Sequence, residues 1–212
     1  HPTTPAGRVR IGITESAQTT LLPQAYADLR RRAPQVEVRV QFGATPGLLS
    51  ELKAGRIDLG VVFRPPRGAS SRLHWTPLLA QPLVLVVPRG LAPAAPARVL
   101  REQPWIRMDR GSVAGQMAAR YVDRLVPQCQ PLLDLPAVNA IVAMVGAGIG
   151  VSVLPQLRPD QRLAHPVREI DLGADAPVRE MVLVRRPADV GQGPIDAVAR
   201  AFIAAAGSVP LR

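Results

Sequence analysis

The sequence predicts an α/β protein, and the pattern of its first 63 residues indicates this class. Short β-branched runs recur at residues 9–13, Val36–Phe42 and Ile57–Phe63. Apolar residues at helical spacing in Leu21–Arg32 and Pro46–Ala54 separate these runs. Strands joined by single helical crossovers are parallel, so the order predicts a β-α-β-α-β unit whose helices cover the sheet.

Capping and turn residues predict where these elements begin and end. Residues 16–20 offer several N-caps for the first helix, and Thr45 is a candidate N-cap for the second. Pro23 suits an opening helical turn, and Gly55 suits the left-handed position after a helix. Residues 1–7, which contain Pro and Thr, predict a flexible lead-in.

A second α/β region follows a break in composition. Strand-like runs at 73–79 and 83–87 lead into residues 88–97, which contain three prolines. Beyond the break we predict helices at Arg98–Glu102, Ser112–Leu125 and Ala137–Val145, which alternate with strands at Trp105–Met108, Pro131–Leu135 and Val151–Leu154. Val167–Leu172 predicts a strand that returns toward the first lobe, Val178–Val184 a further strand there, and Ile195–Ala206 a closing helix.

These segments predict two lobes. Lobe I comprises residues 8–87 plus 172–212, and lobe II comprises residues 88–171. Because the chain crosses between the lobes twice, we expect a ligand cleft between them, where small-molecule sites tend to lie.

Composition narrows the compartment and the partners. The hydrophobic content of 47% allows a substantial core, and no apolar run reaches the roughly 18 to 20 residues that a membrane span needs. The net charge of +10 comes almost entirely from scattered arginines. The single cysteine, Cys129, excludes an internal disulfide and suits a reducing, cytoplasmic compartment.

Catalysis, metal binding and cofactor binding are not predicted. A nucleophile-elbow motif is absent, and His74 and His165 do not have metal-ligand spacing. Glu15 is a lone carboxylate near the predicted strand ends, without the partner that acid-base chemistry usually needs. The glycine loop at 146–150 follows a helix and opens a strand, the reverse of a phosphate-binding loop, so Gly148 and Gly150 are better explained by a helix end and a tight turn.

Several motifs in order resemble the effector-binding domain of LysR-type transcriptional regulators. The more specific ones are LKAGRIDL at Leu52–Leu59 and VGAGIGVSVLP at Val145–Pro155, and the resemblance covers about residues 8–206. It implies two Rossmann-like lobes with a periplasmic-binding-protein-like (type 2) fold. It also implies a small-molecule effector in the cleft and assembly into homodimers or homotetramers.

The resemblance further implies promoter binding by an upstream winged helix-turn-helix domain. We expect that domain to be absent from these 212 residues, because only seven precede the first predicted strand. Where the family often has His-Pro-Leu, this chain has Pro88-Arg89-Gly90-Leu91.

Five residues are candidate effector contacts. Ser16 and Thr45 match two hydroxyl positions of the family, and each lies where a strand ends and a helix begins, which favours an anion. Arg64, at the third strand end, is the candidate partner of a carboxylate. Met108 and Asn139 are the candidates of lobe II. The alternatives are helix caps for Ser16, Thr45 and Asn139, a surface side chain for Arg64, and a core side chain for Met108.

Two other functions remain open at this level. An exported solute-binding protein of a transporter has the same fold, and a lyase or dehydratase can be built on similar lobes. The missing acid-base pair disfavours the enzyme.

Overall fold

The structure is a computed structural model that describes residues 4–210. Its helices and strands alternate along most of the chain. In order they are β1 (Gly7–Ile13), α1 (Glu15–Thr20), α2 (Leu22–Arg32), β2 (Val36–Phe42), α3 (Thr45–Lys53), β3 (Leu59–Phe63), β4 (His74–Pro88), α4 (Pro96–Glu102), β5 (Trp105–Met108), α5 (Val113–Leu125), β6 (Pro131–Leu135), α6 (Val138–Gly146), β7 (Ser152–Pro155), α7 (Pro159–Ala164), β8 (Val167–Asp171), β9 (Val178–Arg185) and α8 (Gly193–Gly207), with a short 3-10 helix at Pro187–Asp189.

The chain divides into two compact units. The first contains the residues up to Ala80 and those from Glu180 onward, and the second contains Gln81–Arg179. The chain therefore passes between the units inside β4 and β9. The first passage precedes the proline-rich segment at which the sequence predicted it, because a continuous strand spans the position.

The first unit contains the predicted β-α-β-α-β arrangement. Strand β1 pairs in parallel with β2 and with β3, and β3 pairs antiparallel with β9, giving the order β2-β1-β3-β9. All five residues of β3 are buried, whereas the second half of the edge strand β2 is exposed. Helices α2 and α8 pack together beside β1, where Ile11, Leu29 and Phe202 line a common apolar crevice.

The first predicted helix, Leu21–Arg32, is α2, and the short helix α1, which was not predicted, precedes it. Helices α1 and α2 meet at Leu21, whose side chain is fully buried and whose N–H donates to the Ala17 carbonyl at 2.9 Å. The N-cap of α2 is Leu21 and not one of residues 16–20, so that capping prediction is wrong. The reason is that residues 16–20 are themselves helical, because the chain turns into α1 immediately after β1, with Thr14 as its N-cap.

The chain termini differ in part from expectation. Of the lead-in predicted at residues 1–7, residues 1–3 lie outside the described part of the chain. Gly7 already belongs to β1, because its N–H donates to the Gln35 carbonyl at 3.3 Å.

Helix α7 was not predicted because none of its residues is buried, and a helix without a buried face leaves no apolar periodicity.

The second unit is organised around the end of β4. Residues 83–88 pair antiparallel with β7 on one side and with β8 on the other. Strand β8 lies entirely in the second unit. The two runs predicted at 73–79 and 83–87 are the single strand β4, which continues through Pro82. Strands β5 and β6 form a separate parallel pair.

The glycine loop after α6 ends the helix and permits a close backbone approach. Gly148 has a φ of +77°, its N–H donates to the Val145 carbonyl at 2.9 Å, and the Ile149 N–H donates to the Met144 carbonyl at 3.1 Å. This is a Schellman motif, as the helix-end prediction required. A Cβ on Gly150 would lie 2.4 Å from the Pro104 carbonyl oxygen, so glycine is needed there for contact with the β5 side of the unit.

Candidate functional site

The carboxyl ends of β1 and β3 lie side by side in the first unit. The Thr14 N–H donates to the Val61 carbonyl at 3.2 Å, and the Gly43 N–H donates to the Ile13 carbonyl at 3.3 Å. The ends of β1, β2 and β3 therefore meet at one edge of the sheet. Ligands of parallel α/β sheets bind at such an edge, so we call it the carboxyl edge.

Thr45 lies at the carboxyl edge as the first residue of α3. Its side chain is buried, and its Oγ1 accepts a hydrogen bond from the Phe63 N–H at 3.2 Å. The hydroxyl thus ties the first turn of α3 to the end of β3 and can still donate its own proton. The N-cap of α3 is Ala44, so the prediction that Thr45 caps the helix is wrong.

Two further hydroxyls occur where β1 passes into α1. Ser16 is the second residue of α1 and is half-buried. Thr14 is 7% exposed, and its Oγ1 has no hydrogen-bond partner among residues 4–210. A buried hydroxyl without a partner is uncommon and costs free energy. Thr14 was not a predicted contact, although its position at a strand end was the signal that could have identified it.

Arg64 leaves the end of β3 with its guanidinium already engaged. Its Nε donates to Oε2 of Glu180 at 2.6 Å, and its Cζ lies 5.3 Å from the centre of the Trp75 ring. Its backbone N–H also donates to the Glu180 carbonyl at 2.8 Å, which extends the pairing of β3 with β9. The Trp75 indole is held in turn by donation from Nε1 to the Ser70 carbonyl at 2.8 Å.

Glu180 and Trp75 are the neighbours that sequence reasoning missed. Glu180 is 116 positions from Arg64 in the chain, and no motif connects the two residues. Arg64 is about one-third exposed, so it is neither a free surface side chain nor a core residue. Its carboxylate partner in this chain is Glu180.

The two candidates of the second unit have different surroundings. Met108 ends β5 with 6% of its surface exposed and packs in an apolar cluster with Ile106 and Ile141. Asn139 is the exposed second residue of α6, where its Oδ1 accepts from Nε2 of Gln161 at 2.8 Å. The helix is capped by Ala137, so Asn139 is not its N-cap. Effector contact by either residue stays a prediction.

Arg179 is a buried basic residue of the second unit that the sequence did not single out. It is 5% exposed, and its Nε donates to Oε1 of Gln81 at 2.9 Å. Burial, together with the positive charge of Arg158, lowers the pKa of Arg179 to about 9. Gln81 supplies one of the acceptors that make burial of this guanidinium tolerable.

Cys129 is the single cysteine, and its thiol is weakly acidic. The Sγ lies 3.7 Å from the Leu100 carbonyl oxygen, and burial, with the negative charge of Asp123, raises the thiol pKa.

Among residues 4–210, no three His, Cys, Asp or Glu side chains come together as a metal ion would require. Within the same residues, no helix is both long and apolar enough to cross a lipid bilayer.

Comparison with known families identifies the fold and the family. The LysR substrate binding domain family matches residues 2–208. The chain belongs to this family. Its mixed α/β structure is the periplasmic-binding-protein-like type 2 fold of these domains, as the motifs predicted.

Solved structures of LysR regulators have the same fold. A reduced form of OxyR from N. meningitidis aligns with a TM-score of 0.75 and 24% identity over 94% of this chain and 95% of that chain. A putative LysR family transcriptional regulator from Pseudomonas aeruginosa aligns with a TM-score of 0.78 and 22% identity over 97% of this chain and 73% of that chain.

The curated relatives are transcriptional regulators. The HTH-type regulator YfeR of Shigella flexneri, which is described as uncharacterized, is 26% identical over 85% of this chain and 59% of its own length. The HTH-type regulator YofA of Bacillus subtilis is 27% identical over 74% of this chain and 53% of its own length. The chain thus spans somewhat more than half the length of these relatives. These relatives are described as regulators of transcription, and that description favours neither rival function.

Proposed function

We propose that this LysR substrate-binding domain senses a small anionic effector, an aromatic or aliphatic carboxylate, at the carboxyl edge of its first unit. Ser16 and Thr45 donate hydroxyl protons to the effector, and Arg64 donates from its guanidinium. The unpartnered, buried hydroxyl of Thr14 supports a polar ligand at the same edge. Family membership supports the sensing role.

The observation that carries the anionic part of the proposal is the geometry of Arg64. Its guanidinium lies against Trp75 and, among residues 4–210, hydrogen-bonds through Nε alone, so both Nη groups remain as donors. A planar pair of N–H donors matches the two oxygens of a carboxylate. Backbone N–H groups at the start of α3 add positive potential nearby.

We further propose that the effector signal passes through a homodimer or homotetramer to a helix-turn-helix domain, which binds promoter DNA. The exposed apolar side chains of the edge strand β2 and of α2 support self-association. Phe42 is 63% exposed, Val40 is 49% exposed and Tyr26 is 45% exposed. Exposed strand edges with apolar side chains favour pairing with a second copy.

A thermal-shift screen of metabolites against the 212-residue chain tests the sensing role. A ligand at 100 times its dissociation constant stabilises the fold by about 2.7 kcal/mol, which is readily measured. We expect the ligands found to be carboxylates. We expect Arg64→Gln to weaken their binding while leaving the melting temperature of the ligand-free domain nearly unchanged. Hits that are all cationic or uncharged would refute the anionic effector.

Light scattering tests the assembly. We expect at least a dimeric mass at micromolar concentration, and Phe42→Glu should shift the mass toward that of one chain. A single-chain mass for the unsubstituted domain would contradict this part of the proposal.

A further inference from the structure

We propose that Glu180 is a built-in counterion that sets the affinity of Arg64 for anions, and thereby decides which carboxylates can act as effectors. This inference rests on the proposed function, since it concerns the same guanidinium. It assigns a specificity-determining role to a residue that no sequence motif singles out.

The pairing of β3 with β9 fixes the positions of both residues. Phe63 lies opposite Met181 in the antiparallel register, so Arg64 and Glu180 are the next pair along the two strands. The backbone hydrogen bond between them, 2.8 Å long, continues the ladder beyond the end of β3. Their side chains therefore project from directly opposite positions on the same face of the two strands.

Three contacts define the orientation of the guanidinium. The backbone hydrogen bond to Glu180 fixes the Arg64 main chain, and Trp75 covers one face of the guanidinium at 5.3 Å. The Glu180 carboxylate accepts from Nε at 2.6 Å. Among residues 4–210, Nη1 and Nη2 of Arg64 donate to no acceptor. The outer edge of the guanidinium is thus available to a ligand while Glu180 stays in place.

The charge of Glu180 acts against such a ligand. The Glu180 side chain is 47% exposed and that of Arg64 is 32% exposed, so solvent screens the pair only in part. A carboxylate bound at Nη1 and Nη2 would lie a few ångströms from a like charge. The effector must therefore make additional contacts to bind tightly, which the hydroxyls of Thr45 and Ser16 can supply. A simple carboxylate that binds only the guanidinium should bind the unsubstituted chain weakly.

The experiment measures calorimetric binding of benzoate, with uncharged benzamide as the reference compound, to the 212-residue chain and its variants. Glu180→Gln removes the charge and keeps the shape and a hydrogen-bond acceptor. The matched control is Glu51→Gln, because Glu51 also pairs with an arginine of the first unit, Arg56, at 2.6 Å. Both variants raise the net charge by one.

We expect Glu180→Gln to bind benzoate about tenfold more tightly than the unsubstituted chain, as removal of a like charge a few ångströms away from a partly solvated site should do. Glu51→Gln should stay within about twofold, because a distant surface charge is screened. Arg64→Gln should abolish the gain when combined with Glu180→Gln. Benzamide should not respond to any of these substitutions.

The outcomes separate the two proposals. If benzoate binding depends on Arg64 but is equal in Glu180→Gln and the unsubstituted chain, the counterion role is refuted and the anionic effector site stands. If benzoate binding is absent or independent of Arg64 in every variant, the counterion role fails together with the Arg64 contact. Should Glu180→Gln fold poorly, Glu180→Asp provides the second test. It shortens the side chain and should tighten benzoate binding less, whereas weaker binding in that variant would refute the role.

Discussion

Asp58, within the LKAGRIDL motif, offers a sharp test of how the carboxyl edge is supported. Its N–H donates to the Arg10 carbonyl at 2.7 Å, and its carboxylate accepts from the Arg10 N–H at 2.8 Å. The carboxylate also accepts from Arg10 Nε at 3.2 Å and from Nη2 at 2.8 Å. Asp58 therefore extends the pairing of β1 with β3 by one residue. We predict that replacing it destabilises the whole first unit.

The size of the effect follows from the bonds that each substitution removes. Asp58→Asn keeps one acceptor for the Arg10 N–H and loses the charge. Arg10 is half-exposed, so water replaces much of the lost interaction, and we expect a decrease of about 1 kcal/mol in the free energy of unfolding. Asp58→Ala also removes the acceptor of the backbone N–H, so we expect a loss of about 2 kcal/mol.

The pH dependence gives the decisive measurement. Burial raises the pKa of Asp58, but the hydrogen bonds and charge of Arg10, with the charge of Arg186, outweigh burial and hold the pKa below its ordinary value. A depressed carboxyl pKa contributes stability that is fully present above the unfolded pKa near 3.9. That stability is lost as pH falls through the folded pKa.

Urea denaturation of the unsubstituted chain and Asp58→Asn at pH 7, 4 and 3 checks this reasoning. The difference in unfolding free energy should narrow as pH falls, because protonated Asp resembles Asn in shape and charge. Glu37→Gln is the control, since Glu37 pairs with arginines on the exposed surface and should cause a much smaller change at pH 7. A difference for Asp58→Asn that is absent at pH 7, or constant with pH, would refute the account.

Three other predictions concern packing, a buried ion pair and the thiol. Gly115→Ala should lower the free energy of unfolding in urea by at least about 3 kcal/mol, because its Cβ would lie 1.9 Å from the Asp109 carbonyl oxygen, whereas Gly47→Ala has open space and should stabilise α3 by about 0.5 kcal/mol. Asp196→Ala should lower the free energy of unfolding by about 3 kcal/mol, because it leaves the buried guanidinium of Arg185 without the carboxylate to which its Nη1 donates at 2.5 Å. An unchanged melting temperature would contradict this prediction. Cys129 should react with iodoacetamide at pH 7.5 far more slowly in the folded chain than in urea, and equal rates would show that burial does not protect the thiol.

The fold class could be predicted because it depends on local patterns. The strand Val36–Phe42 was predicted to the residue, and the parallel pairing of β1 with β2 and β3 follows from the crossovers. Errors occurred where local signals are weak. Helix α1 was not predicted because it has only six residues and buries only Ala17, so it leaves no apolar periodicity.

The sequence by itself determined the order of strands and helices, and it placed Thr45 and Arg64 after the ends of β2 and β3, the two strands that pair in parallel with β1. It could do so because periodicity, capping residues and crossover handedness act over a few residues to a few turns. Only the tertiary structure brought Glu180 to Arg64 across 116 positions and directed the Thr45 hydroxyl to the Phe63 N–H. Those contacts depend on the antiparallel register of β3 and β9 and on the docking of α3, which burial of whole faces decides and no local pattern encodes.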